Sequence, residues 1–224
     1  ADTFSDQDAK RVQNIIWQCY HGLGHGAMET RDYNLPLSLE YCKGISGRAN
    51  LRAACYYGVF MENAFLAEIG YQHGIRPNFL FFKSNDVFFP CTQIADEYKP
   101  RCYVVAPMQY LYSFASGIDF RNFLDEPFSP CSKAPREYRN SCARGVGTVI
   151  VYLSGWDPQK IVENCLRGET FEDRASCIAG AAGHYTIFPH EKVKYNPKNF
   201  CANVPAEFKP QCFGSIKEMA LDHE

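Results

Sequence analysis

The 224-residue chain lacks a long apolar run: its longest, near residues 146–153, is far shorter than the roughly 20 residues that span a bilayer. It also lacks an excess of charge. With 23 Lys and Arg against 25 Asp and Glu, the net of −2 gives no electrostatic case for nucleic acid or an anionic membrane surface. There is no Asn-x-Ser/Thr sequon, which leans towards a bacterial periplasm or secretome. The Cys-x-x-Cys knuckle of zinc sites and the Cys-x-x-Cys-His motif of attached haem are both missing. Gly22, Gly24 and Gly26 alternate, but Ala-Met-Glu follows them and not the Lys of a phosphate-cradling loop. No positively charged, apolar leader precedes Ala1, as expected either of a chain read from a mature N-terminus or of one cut at that point.

What is present is cysteine, 11 residues of it, together with 14 Tyr, 17 Phe and 2 Trp, enough apolar material for a large core. From Cys42 onward the cysteines fall into five couples: Cys42 with Cys55, Cys91 with Cys102, Cys131 with Cys142, Cys165 with Cys177, and Cys201 with Cys212. Ten to twelve residues inside each couple suit a disulfide tying the end of one helix to the next. Five disulfides imply an oxidising compartment, so a periplasmic or secreted protein is expected.

The second cysteine of each couple also works as a ruler. Starting from Cys19, the steps to Cys55, Cys102, Cys142, Cys177 and Cys212 are 36, 47, 40, 35 and 35 residues. A period near 35–40 with two helices per unit predicts an α-hairpin solenoid. The units lie near residues 1–30, 31–70, 88–117, 119–155, 157–190 and 196–221, in one repeat domain over residues 1–224, with inserts at 71–88 and 119–130. Helices are expected from Leu35 to Lys43 with Gly44 as the stop, and from Arg48 to Ile69 with Gly70 as the stop. Asp157-Pro158 opens another as N-cap and first turn, and Thr170 opens its partner. Pro197 to Val204 and Pro205 to Leu221 complete the series.

Disulfide-tied α-hairpins at this period resemble the cysteine-rich, Sel1-like repeat proteins of bacteria, relatives of tetratricopeptide arrays, over residues 30–221. The resemblance implies an extracytoplasmic scaffold with a concave, partner-binding face. The fold expected is therefore all-α, a right-handed α-hairpin solenoid stapled by about five disulfides within its repeats.

The first copy of the cysteine-led helix, Cys19 to Met28, differs from the others. His21, His25 and Met28 stand at i, i+4 and i+7, within roughly 60° of one another, so one helix face carries two imidazoles and a thioether. A His pair at i, i+4 reaches one metal ion, and a neighbouring thioether shifts the preference towards copper. Six residues beyond successive cysteines the chain places His25, Met61, Met108, Thr148 and Gly183, and two residues beyond the first two it places His21 and Tyr57. Equivalent positions in a repeat array line one surface. The expected site is thus His21, His25, Met28 and Met61, with Tyr57 and Glu62 at its edge and Cys19 as a further neighbour. The competing readings are a methionine-filled core seam, above all for Met108, and a metal-free scaffold that binds a protein or peptide. A haem- or metal-dependent redox enzyme, with His25 and Met61 as axial ligands, is a third. His73, His184, His190 and His223 have no second ligand beside them in sequence. Cys19 is the odd thiol, since the place of its partner is taken by Asp8, and it is expected to face a partner protein or another subunit through the first repeat.

Overall fold

The structure is a computed structural model that describes residues 6–45, 49–73, 86, 88–112, 123–187 and 197–219, with only the backbone described for 6–14, 66–73 and 109–112. Among these residues every regular element is helical. Helices α1 (Asp6–Glu29), α2 (Leu35–Gly44), α3 (Ala49–His73) and α4 (Lys99–Tyr112) are followed by α5 (Arg139–Leu153), α6 (Pro158–Cys165), α7 (Phe171–Ile187), α8 (Pro197–Asn203) and α9 (Lys209–Met219). The insert expected at 71–88 lies largely outside the described residues, whereas of that at 119–130 residues 123–130 are described and form turns that run into a 3₁₀ helix (Ser129–Lys133).

Local chemistry accounts for the helix ends. Asn34 caps α2 by accepting from the Leu37 N–H, and Asp157 caps α6 by accepting from the N–H groups of Gln159 and Lys160, each helix with Pro in its first turn. At α7, Thr170 Oγ1 accepts from the Asp173 N–H while an Asp173 oxygen accepts from the Thr170 N–H, a reciprocal box in which Asp replaces the usual Glu. Two expectations shift. The third helix runs through Gly70 to His73, so that glycine is not its stop. The first arms of the couples at Cys91 and Cys131 are turn and 3₁₀ backbone, because Pro90 and Pro130 next to those cysteines lack the N–H that an α-helix needs.

All five couples are disulfides, with Cα–Cα distances between 5.4 and 5.7 Å. Every one of the ten sulfur-bearing residues is buried. Five such bridges are the mark of chains that mature in an oxidising compartment. No helix among the described residues is long and apolar enough to cross a membrane.

The long helices pack in the order α1, α3, α4, α5, α7, α9, and each short arm lies against the long helix that follows it. Glycines set the spacing where several of these helices cross. A Cβ built on Gly24 would fall 2.1 Å from the Cys55 carbonyl oxygen, one on Gly58 2.0 Å from that of His21, one on Gly145 2.0 Å from that of Val104, and one on Gly180 1.9 Å from that of Arg144. Backbone therefore rests on backbone at successive crossings, a spacing no larger residue permits. This explains Gly24 in the first copy, whereas nothing approaches Gly22 or Gly26 within 4 Å. The series also turns back on itself: Gln18 Nε2 of α1 donates to the Ile187 carbonyl of α7 at 2.6 Å.

Candidate functional site

Two groups of side chains stand out, one between α1 and α3 and one on the inner side of the turned helix series. The first contains the expected pair. The His21 and His25 rings sit one turn apart on α1 with centroids 4.8 Å apart, edge to face. His21 also stacks on Trp17 at 5.1 Å and leans on Tyr57 at 5.5 Å, and His25 lies along Phe65 at 6.5 Å. On α3, Tyr57, Met61 and Phe65 are spaced i, i+4 and i+8, so Met61 belongs to the row whose ends touch the two histidines. Met61 is 7% exposed and Met28 fully buried, both within the core cluster.

Glu62 fixes one of the imidazoles. His25 Nδ1 and Glu62 Oε2 are 2.6 Å apart; a carboxylate oxygen accepts, so in the neutral imidazole this contact places the proton on Nδ1 and the lone pair on Nε2. This is the arrangement by which metal-ligating histidines are held in one tautomer. Burial, with the nearby His25 adding to it, pushes the His21 pKa down to about 3, so that imidazole is neutral and keeps a lone pair near pH 7. Among the described residues no three His, Cys, Asp or Glu side chains converge as a ligand set. The helix register thus sets two imidazoles on one face of α1 and a thioether, Met61, in the facing row of α3, a donor set of the kind that suits a soft ion such as Cu(I) better than Zn²⁺ or Ca²⁺. Cys19 stands elsewhere. It is exposed, and on an α-helix it points about 200° away from His21.

The second group was not expected as a site. A half-open cavity of about 50 Å³ lies among α1, α3, α4, α5, α7 and α9 and is lined among others by Trp17, Tyr57, Arg101, Arg144, Thr148, His184 and Glu218. Arg144 Nη2 donates to Glu218 Oε2 at 2.7 Å and to Ser215 Oγ at 3.0 Å. The Arg101 Nη2 lies 3.9 Å from Glu218 Oε1, within reach of the charge and outside hydrogen-bonding distance. Tyr57 and Thr148 share a hydrogen bond, and burial raises the Tyr57 pKa well above its ordinary value. His184, held against Tyr152 at 4.7 Å and Trp156 at 5.5 Å, is pushed down to about 3 by burial. Gly155 and Trp156, both with positive φ, make the tight turn after α5 that brings the Trp156 ring onto it.

The cysteine ruler does contain this cavity. Position +2 supplies Tyr57, Val104 and Arg144 to the lining and position +6 supplies Thr148, Gly183 and Glu218, whereas Met61, Met108, Ala179 and Gly214 of the same columns lie off it. Arg101 falls outside both columns and carries no such signal. Comparison with family models, curated proteins and solved structures finds no match to this chain.

Proposed function

We propose that this chain is an extracytoplasmic helical-repeat protein, periplasmic or secreted, that binds a transition-metal ion, copper favoured, between its first two long helices. The observation that carries the reading is the His21–His25 pair, one imidazole neutral by burial and the other held through Nδ1 by Glu62. His21 and His25 supply nitrogen, and Met61, with Met28 one turn on from His25 in α1, supplies sulfur. A bare ion suits this crossing better than haem, because the backbone contact at Gly24 and Gly58 leaves no gap there for a macrocycle. The right-handed solenoid is part of the same reading; the serial packing of the long helices supports its repeat order.

Metal analysis of protein purified without a His-tag tests it. One equivalent of copper is expected, lost in the His21→Ala, His25→Ala double variant, and Met61→Leu should weaken Cu(I) more than Zn(II). A folded protein that takes up none of Cu(I), Cu(II) and Zn(II) leaves the metal-free scaffold in its place.

A partner is read onto the outer face of α1, where Ile15 (60% exposed), Leu23 (37%) and the free Cys19 stand together at i, i+8 and i+4. Rapid alkylation of Cys19 in a native monomer, with no cross-linked species in intact-mass spectra, would end this part of the reading.

A further inference from the structure

We propose that the interior cavity is a binding site for a compact oxyanion, a carboxylate or a phosphate, held between the guanidinium groups of Arg101 and Arg144, with Glu218 as its internal competitor. The site lies on different residues from the histidine pair and does not depend on it.

Charge bookkeeping comes first. Two guanidiniums face a partly desolvated space with one carboxylate between them, and 29% of the Arg101 side chain and 24% of the Arg144 side chain are exposed. Desolvation and the neighbouring Arg144 both pull the Arg101 pKa below its ordinary value, which is the electrostatic signature of insufficient negative charge. Glu218 satisfies Arg144 directly and leaves Arg101 at 3.9 Å. A guanidinium presents five donors in a planar fork shaped for an oxyanion, and the fork of Arg101 has no acceptor at hydrogen-bonding distance among the described residues.

Size and lining narrow the ligand. About 50 Å³ of space in a half-open pocket suits a compact ion of four or five heavy atoms. Tyr57 and Thr148 lie on the wall, the two neutral side chains there that carry a hydroxyl donor. Glu218 is 46% exposed near the C-terminal end of α9, the most accessible of the three charged groups, so an incoming anion can displace it outward while both arginines stay.

Calorimetric titration with sodium phosphate and with sodium acetate, each at constant ionic strength set by sodium chloride, tests the proposal. Wild-type protein should bind one equivalent of the matching anion. Arg101→Gln and Arg144→Gln should each weaken that binding by about tenfold or more, the usual effect of losing a charge-assisted pair. Glu218→Gln removes the competitor and should tighten it by about tenfold. Circular dichroism confirms that each variant is folded, and the Glu218→Gln arm does not depend on the arginine variants folding. A response to phosphate alone or to acetate alone names the class. Absence of binding to both the wild type and Glu218→Gln, or binding unchanged in both arginine variants, overturns the site.

Discussion

A histidine with no second ligand in sequence is a weak signal, and His184 shows what such a residue does when the fold encloses it. It lines the cavity among rings, 4% exposed, and burial holds it neutral with a pKa of about 3. The unfolded chain returns it to about 6.5, so between those values the unfolded state binds the extra proton. Its contribution to stability is complete above about pH 6.5 and is lost as the pH falls from there towards 3. Lowering the pH from 7.5 to 5 should therefore cost about 2 kcal/mol through this residue. Urea unfolding at the two pH values measures it: His184→Gln should lose about 2 kcal/mol less than the wild type over that interval. An equal loss in both proteins would mean that His184 is reached by solvent in the folded state.

At the scale of the helix, the first copy carried an ambiguity that only neighbouring backbone could resolve. Gly22, Gly24 and Gly26 look alike in sequence, and each costs up to about 1 kcal/mol relative to Ala inside a helix. Gly24 alone is pressed against α3, and Gly58 and Gly180 play the same part at other crossings. Gly180→Ala would set a methyl 1.9 Å from the Arg144 carbonyl oxygen, so α5 and α7 must separate, and a loss of about 1–3 kcal/mol is expected. Gly22→Ala meets nothing and should gain about 0.5–1 kcal/mol. Comparing urea midpoints of the two variants checks both signs together. The helix ends were legible for a related reason: Asn34, Asp157 and Thr170 act on backbone within three residues. Gly70 was misleading because a glycine ends a helix only where the chain turns, and α3 continues to His73.

Across the whole molecule, the cysteine couples made the pairing and the helical class readable, because a disulfide between helix ends is a local constraint repeated at a steady period. The histidine pair was readable for the same reason, lying within a single helix. The cavity was only half readable: Tyr57, Arg144, Thr148 and Glu218 follow the ruler, yet their meeting depends on α1 returning to α7, a contact 169 residues apart in sequence. That return makes the last couple a test of the architecture. Cys201–Cys212 pins α9, which carries Ser215 and Glu218 against Arg144. Each couple closes a short loop worth about 3 kcal/mol, and five together match the whole stability of an ordinary domain, so complete reduction should unfold the chain. Replacing only Cys201 and Cys212 with Ser should lower stability by about 2–4 kcal/mol and leave most of the helix content in place. It should also loosen Glu218 from Arg144, so that anion binding changes while copper binding at His21 and His25, at the other end of the chain, does not. Parallel titrations of that variant with phosphate, acetate and Cu(I) measure the two responses, and a loss of both together would show that the helix series behaves as one cooperative body whose two sites cannot be separated.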